Sequence, residues 1–214
     1  MRHSNSSLGE KFCLELDRML NVVANKPNGD SASIPGHDTT ETHLTESEKK
    51  HLAGLMRINH TGEVCAQALY FGQALLARDA DTKKQLLHAA QEEQEHLYWC
   101  HQRLQDLNER PSYLNPIWYV SSFALGLGAA AFGDPVSYGF VMETEKQVES
   151  HLQEHIEQLN VADHKSRAIL EQMQADEIRH GQAAKDAGGV ELPQPIKWTM
   201  TLMSNIMKKL AYRI

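Results

Sequence analysis

The sequence contains little cysteine, with only Cys13, Cys65 and Cys100 among 214 residues. The three are odd in number, lie far apart and form no Cys-x-x-Cys pair. These features argue against a disulfide framework, a zinc ribbon and an iron–sulfur site, and they favour a reducing compartment.

Long apolar runs are also absent. The nearest candidate, residues 117–132, is sixteen residues long and is interrupted by serine and glycine. Spanning a bilayer needs about 18–20 apolar residues, so no transmembrane helix is predicted. The opening stretch MRHSNSSLGEKF has no apolar core, and we therefore expect no secretory signal.

Basic residues are outnumbered, 21 Lys and Arg against 28 Asp and Glu, which gives a formal net charge of −7. General nucleic-acid binding requires a basic face, so no nucleic-acid partner is expected. The 41% hydrophobic and 23% charged content is typical of a soluble globular protein.

The beginning of the chain differs in character from the remainder. Apolar residues recur at helical spacing over residues 8–23 and predict a short amphipathic helix. Residues 25–43 are rich in Pro, Gly, Ser and Thr, which indicates a flexible linker. We therefore divide the chain into an N-terminal segment, 1–44, and a main domain, 45–214.

Helical periodicity dominates the main domain. The first long pattern begins at the capping box Thr45-x-x-Glu48, and the third begins at Asp134-Pro135, an N-cap followed by proline. No segment alternates with a period of two, so an all-α protein is predicted. The four long helices cover roughly residues 45–78, 82–107, 134–160 and 163–188, and a shorter amphipathic helix covers 195–213.

The connections between these helices predict the topology. Helices one and two are joined by a few residues, as are three and four, so each pair should be an antiparallel hairpin. About 26 residues separate the two hairpins. The pattern indicates a ferritin-like four-helix bundle with one long crossover and an additional C-terminal amphipathic helix.

Each long helix carries one glutamate in the middle of its apolar stripe when residues are projected at 100° each. By the same projection Glu95, Asp176 and Arg179 point outward, and Glu92 lies on the flank. The inward residues are Glu63, Glu93, Glu145 and Glu177, with His96 and His180 at the edges of their stripes.

Four carboxylates facing one another in an apolar core would suffer both desolvation and mutual repulsion. Two divalent cations would balance their four negative charges. Glu63 precedes Glu93 by 30 residues and Glu145 precedes Glu177 by 32, which suggests an internal pseudo-repeat. One Glu on two helices and Glu-x-x-His on two others is the ligand set of di-iron and di-manganese bundles. Iron is favoured if the site performs redox chemistry.

Several further residues are weaker candidates. Glu48-x-x-His51 matches the motif by chance, since Glu48 is explained by capping. Glu149 could substitute for Glu145 as a ligand. His60 and His151 could either orient ligands or be ordinary core histidines, and Tyr70 is interpreted as a core residue.

Four segments resemble the demethoxyubiquinone hydroxylase family: LMRINHTGEVCAQALYFGQAL around Glu63, EEQEHL around Glu93, ETEKQVESHL around Glu145 and DEIRHGQAA around Glu177. The likeness spans about residues 45–214, and Thr61 stands where the family usually has alanine. The resemblance implies a di-iron site with ligands matching Glu63, Glu93, His96, Glu145, Glu177 and His180. It also matches His151 to a histidine that orients ligands.

The resemblance further implies O₂-dependent hydroxylation of a polyprenylated benzoquinol ring in ubiquinone biosynthesis. Two iron ions and O₂ would take part, with NADH or the substrate quinol as reductant. Residues 116–134 and 195–214 are unusually apolar, and the second segment adds four basic residues. We therefore expect peripheral attachment to the cytoplasmic face of the cell membrane, and a homo-oligomer or a complex of ubiquinone-biosynthesis proteins as a further partner.

Three other functions compete with this one. A ferritin- or rubrerythrin-like protein handling iron or peroxide would explain the metal ligands but not the two apolar segments. A di-iron hydroxylase acting on tRNA should have a basic face. A metal-free helical scaffold with a polar core would bind no iron at all.

Overall fold

A computed structural model describes residues 8–23, 30, 33–40 and 43–214. Every regular element in these ranges is a helix, in agreement with the predicted all-α class. The predicted linker falls partly on residues 24–29, 31–32 and 41–42, which lie outside the described residues. The helices are α1 (Leu8–Val23), α2 (Glu46–Leu76), α3 (Ala80–Asp106), α4 (Asn115–Ala131), α5 (Asp134–Gln158), α6 (His164–Asp186) and α7 (Gln194–Ala211).

Helices α2, α3, α5 and α6 form the ferritin-like bundle as two hairpins. The capping box at the start of α2 is present, with Thr45 N donating to Glu48 Oε2 at 2.8 Å. Asp79 and Asp163 cap the second helix of each hairpin by accepting from backbone N–H groups. These caps satisfy donors that would otherwise lack partners where the chain turns sharply.

The sequence predicts that Asp134 caps α5, but in the structure its carboxylate does not do so. Its oxygens accept hydrogen bonds from the backbone N–H groups of Arg78 and Asp79, at 3.0 and 2.9 Å. Gly133, at a φ of 104°, is the residue preceding α5. Asp134 therefore ties the two hairpins together instead of capping its own helix.

The crossover contains a helix, α4, that the sequence did not predict. It is apolar around most of its circumference, so it lacks the one-sided pattern by which the other helices were recognised. Gly126 and Gly72 allow α4 to approach α2 closely: a Cβ at Gly126 would lie 2.2 Å from Leu69 O, and one at Gly72 would lie 2.3 Å from Phe123 O.

Two apolar clusters occupy the bundle and leave a layer between them. One contains Leu52, Met56, Leu104, Leu152 and Leu170; the other contains Ala66, Tyr70, Leu86, Val141 and Ala184. On every bundle helix, the predicted ligand positions fall between a residue of the first cluster and a residue of the second. The apolar clusters thereby define a central polar layer.

Helix α7 packs across the bundle at the C-terminus. Arg57 donates to Tyr212 O at 2.9 Å, and the Tyr212 hydroxyl lies 2.8 Å from His51 Nδ1. In the described part of the chain, no helix combines the length and the apolar character required to cross a membrane.

Candidate metal centre

The structure brings all six predicted ligand residues together in the central layer. Each side chain belongs to a residue that is at most 6% exposed. Helix α2 contributes Glu63, α3 contributes Glu93 and His96, α5 contributes Glu145, and α6 contributes Glu177 and His180.

The ligand atoms form two groups of four that share two residues. One group contains Glu63 and His96, the other contains Glu145 and His180, and Glu93 and Glu177 belong to both. Within each group the four atoms lie within 4.8 Å of one another. Each group could hold one cation, and two such cations would share Glu93 and Glu177 and would each meet one further glutamate and one histidine.

Both histidines direct Nδ1 toward the carboxylates. His96 Nδ1 lies 2.9 Å from Glu93 Oε2 and 3.5 Å from Glu177 Oε1. His180 Nδ1 lies 3.2 Å from Glu93 Oε1 and 3.5 Å from Glu177 Oε2. The two rings therefore occupy equivalent positions on either side of the bridging carboxylates.

The outer nitrogen of each ring is held by a carboxylate from the opposite helix. His96 Nε2 donates to Asp176 Oδ2 at 3.2 Å, and His180 Nε2 donates to Glu92 Oε2 at 3.0 Å. Arg179 joins the two carboxylates, at 3.1 Å from Glu92 and 2.8 Å from Asp176. Such partners fix which nitrogen faces a metal.

The positions of Asp176 and Glu92 correct the helix projection made from the sequence. Asp176 was expected to point outward, yet its side chain is only 15% exposed. Glu92, expected on the flank, reaches across to α6. A recognisable signal was present, because each of these residues directly precedes a ligand glutamate: the pattern is acidic-Glu-x-x-His on both α3 and α6.

Burial and charge act against each other within the layer. Burial, reinforced by repulsion from neighbouring carboxylates, raises the pKa of Glu63 and Glu145 well above the usual range. Burial opposes ionisation of Glu93 too, but the adjacent His96 and His180 lower its pKa. At His180 burial lowers the pKa, but the contacts with Glu177 and Glu93 outweigh this effect and raise the pKa to about 11. The pKa of each of these groups is thus determined by its charged neighbours as well as by burial.

The polar atoms that remain without partners fit a metal centre. Among the residues that the structure describes, neither buried oxygen of Glu145 has a hydrogen-bond partner, and Glu177 Oε2 has none either. Leaving such groups unsatisfied is costly, whereas oxygen and imidazole donors at this spacing can coordinate cations. The donor set, with more oxygen than nitrogen and no sulfur, suits iron or manganese better than zinc.

Comparison with known proteins identifies the family. The profile described as "Ubiquinone biosynthesis protein COQ7" matches residues 50–211. The chain belongs to this family. A 3-demethoxyubiquinol 3-hydroxylase of Ralstonia pickettii is 52% identical over 215 residues, covering 96% of this chain and 99% of the relative. Enzymes of the same name from Polynucleobacter necessarius and Xanthomonas oryzae are 50% and 52% identical over 205 residues; the alignments cover 96% of this chain in each case, and 98% and 94% of the relatives.

The COQ7-family resemblance predicted from the motifs is therefore confirmed.

The weaker candidates take other positions. Glu149 is half-buried and belongs to neither ligand group. Glu48 caps α2 as predicted, and His51 contacts Tyr212.

The two candidate orienting histidines are both buried. His60 accepts from Asn115 Nδ2 at 3.3 Å, while the ring of His151 lies 5.2 Å from that of His155. Burial lowers the pKa of both His60 and His151 to about 3, so each is neutral at physiological pH. In the described part of the chain, neither histidine is hydrogen-bonded to one of the six candidate ligands.

An apolar cavity of about 460 Å³ lies beside the centre, between α2, α4, α5 and α7. Its wall includes Gly62 and Thr144, each adjacent in sequence to a ligand glutamate, and His151. Its other side reaches residues that are substantially exposed, including Leu125, Ile196 and Met203. The cavity thus runs from the apolar surface of α4 and α7 toward the glutamate layer.

Proposed function

We propose that the protein is a 3-demethoxyubiquinol 3-hydroxylase whose central layer holds two iron ions. The observation that supports this most strongly is the pair of ligand groups sharing Glu93 and Glu177, in a chain about half identical to enzymes of that name. Bound iron would supply the redox chemistry by which O₂ is used to hydroxylate the quinol ring. Glu63 and Glu145 would be terminal ligands, and His96 and His180 would complete the two coordination spheres.

The apolar cavity is where we place the substrate. A benzoquinol ring with a polyprenyl tail is largely apolar, and pockets for such ligands have apolar walls with a few polar groups. Thr144, Ser122 and His151 are polar side chains in this wall. The neutral ring of His151 can donate a hydrogen bond to a quinol oxygen, or accept one from a quinol hydroxyl, without burying a charge.

Membrane attachment is proposed for the surface at the cavity mouth. Ile117, Val120, Trp198, Leu202 and Ile206 are large apolar side chains exposed on α4 and α7. Lys208, Lys209 and Arg213 follow at the end of α7. Apolar side chains beside basic ones suit an anionic membrane interface. A tail entering between α4 and α7 could then pass from lipid to the cavity at the cytoplasmic face of the cell membrane.

The ferritin- or rubrerythrin-like alternative explains the ligands equally well, but it gives no role to a cavity of this size and character. We further propose that NADH or the quinol itself supplies the electrons. We also propose that the protein assembles with a second copy or with other ubiquinone-biosynthesis proteins.

Lipid extraction from a strain lacking the protein tests the function. A demethoxy precursor should accumulate and ubiquinone should fall, and the wild-type gene should restore both while a Glu177→Ala variant should not. A strain with normal ubiquinone and no precursor would refute the assignment. Purified, iron-supplied protein should contain two irons per chain; an absence of metal would refute the di-iron centre.

The membrane proposal has a matched pair of variants. Leu202→Glu places a charge in the α4–α7 surface, whereas Val161→Glu places one at an apolar residue that is 83% exposed in the α5–α6 connection. In co-sedimentation with anionic vesicles, Leu202→Glu should reduce the bound fraction and Val161→Glu should not. Equal binding by both variants and wild type would contradict the proposal.

A further inference from the structure

A second cavity, of about 450 Å³, reaches the metal centre from α3 and α6. Unlike the apolar cavity, this polar cavity has charged residues in its wall, among them Asp81 and Lys84, and the solvent-exposed Gln85 and His88 line it as well. It is therefore open to water. It shares no lining residue with the apolar cavity.

The second cavity touches the centre directly. His180 is part of its wall, as is Glu92, which holds the outer nitrogen of that ring. The wall of the apolar cavity, by contrast, contains none of the six ligand residues. Between the two cavities, only this one offers a polar solute immediate contact with a metal-binding side chain.

The hydroxyl of Tyr70 provides an independent sign that a polar ligand belongs in this cavity. Tyr70 is fully buried and contributes to the cavity wall, and its hydroxyl has no hydrogen-bond partner among the residues that the structure describes. Buried tyrosine hydroxyls normally find a partner. Water or a hydrated solute within the cavity would supply one.

Glu92 stands at the inner end of the cavity, and two of its three partners are exposed. Its partners Arg179 and His88 have side chains that are 53% and 71% exposed. Ion pairs of that exposure contribute at most about 1 kcal/mol. The contact of Glu92 Oε1 with Arg179 can therefore be given up at little cost, which presents this oxygen to the cavity while Oε2 stays on His180. Arg179 would remain paired with Asp176 at 2.8 Å, so its charge would stay partly neutralised.

We propose that this polar cavity is the entrance through which hydrated Fe²⁺ reaches and leaves the metal centre, with Glu92 as the first carboxylate that the ion meets. The proposal rests on the dinuclear centre of the proposed function. Stripping water from Fe²⁺ within an apolar passage would be very costly. Along the polar cavity, carboxylate oxygens can replace water ligands one at a time until the ion reaches Glu93 and His180.

Substrate and metal would thus enter the protein by different cavities. The quinol would use the apolar cavity between α4 and α7, and the metal would use the polar cavity between α3 and α6. A membrane-bound enzyme could then exchange iron with the aqueous phase while its substrate side faces lipid.

Plugging each cavity in turn tests the two routes. Ala89→Trp fills the polar cavity and Ser121→Trp fills the apolar one, since each residue lines its own cavity. Two rates are measured on the full-length protein under anaerobic conditions: Fe²⁺ release from loaded protein to a ferrous chelator, and Co²⁺ uptake by metal-free protein, followed by visible absorption. Ala89→Trp should slow both rates by about tenfold or more, without changing the final metal content. Ser121→Trp should change neither.

A charge reversal at the rim gives a second test that does not depend on a bulky side chain. Lys84 lines the polar cavity, whereas its neighbour Lys83 is exposed on α3 outside it. At low salt, Lys84→Glu should accelerate Co²⁺ uptake about threefold, and the gain should shrink as salt is added. Lys83→Glu carries the same change in net charge and should have a much smaller effect.

The outcomes distinguish this proposal from the one on which it rests. Protein that binds no metal would refute the dinuclear centre itself. Protein that binds two metals, but in which Ala89→Trp loads as fast as wild type or Ser121→Trp is slowed equally, would overturn the entrance alone. Equal uptake by Lys84→Glu and Lys83→Glu would also overturn it.

Discussion

Glu92 on α3 contacts His180 on α6, with Oε2 3.0 Å from Nε2. The reciprocal contact joins Asp176 on α6 to His96 on α3 at 3.2 Å. Each hairpin therefore supplies the carboxylate that orients the other hairpin's histidine. Because both contacts cross the α3–α6 boundary, the geometry of the centre depends on correct docking of the two hairpins.

Asp176→Ala should weaken metal binding without removing a ligand. His96 would lose the acceptor that fixes its ring, and loss of such a partner typically costs about 10–100-fold in metal affinity. Competition with a chelator of known affinity measures the change. Glu95→Ala is the matched control, because Glu95 is an exposed residue on α3, and it should bind metal like wild type. Equal affinities in the two variants would show that the Asp176 contact has no orienting role.

Glu145→Leu should raise the melting temperature of the metal-free protein. Both Glu145 oxygens are buried without partners and burial raises the pKa of this carboxyl, so the carboxylate costs stability when no cation is bound. Replacing buried charged groups by apolar ones of similar size can stabilise by about 1–4 kcal/mol. Calorimetry on the metal-free forms measures the effect. The same variant should lose the stabilisation that wild type gains from added Fe²⁺ or Mn²⁺; a melting temperature below that of metal-free wild type would contradict the prediction.

The inward direction of the four glutamates could be predicted from the sequence because it follows from helical periodicity. A residue's direction on a long amphipathic helix depends on local spacing alone, and Glu63, Glu93, Glu145 and Glu177 each fall in the middle of an apolar stripe. The same reasoning failed for Asp176, which lies on the polar side of its own helix. Whether such a residue meets water or a neighbouring helix depends on how the hairpins dock, and that information is not local.

Helix α4 was missed, and the grouping of the glutamate and histidine donor atoms was left open, for related reasons. An apolar segment with several glycines shows no one-sided pattern, and only the contact of Gly126 with α2 explains its composition. The grouping of ligand atoms around Glu93 and Glu177 requires side-chain positions to within about an ångström. Spacing along the chain identifies which residues face inward, but it does not determine which of them are shared.

The stability of the metal-free protein should fall with acid partly through His155. Burial, with a contribution from the positive charge of Lys208, lowers the pKa of His155 to about 4, and its Nδ1 donates to Asn59 Oδ1 at 2.8 Å. Unfolded histidine takes up a proton near pH 6.5. The unfolded state therefore binds more protons between pH 6.5 and 4, and stability is present above this window and lost as pH falls through it.

His155→Gln should flatten this dependence. The slope removed should approach about 1.4 kcal/mol per pH unit, as measured by urea unfolding of metal-free wild type and variant at several pH values. Contributions from the ligand carboxylates are common to both proteins and cancel in the difference. Parallel stability curves across the window would show that His155 is not held neutral by the fold.

Two glycines of α4 should respond oppositely to the same substitution. A Cβ at Gly126 would lie 2.2 Å from Leu69 O and 3.1 Å from Gln73 N, backbone atoms of α2 that cannot move aside. A Cβ at Gly128 would meet no atom within 4 Å. Since alanine in a helix interior is favoured over glycine by about 0.5–1 kcal/mol, Gly128→Ala should stabilise the protein by that amount. Gly126→Ala should instead destabilise it by about 1–3 kcal/mol, because α4 must separate from α2. Urea unfolding measures both changes.

Because α4 also forms one wall of the apolar cavity, Gly126→Ala should in addition alter quinol binding. Stabilisation by both substitutions would mean that α4 is not packed on α2 at this distance.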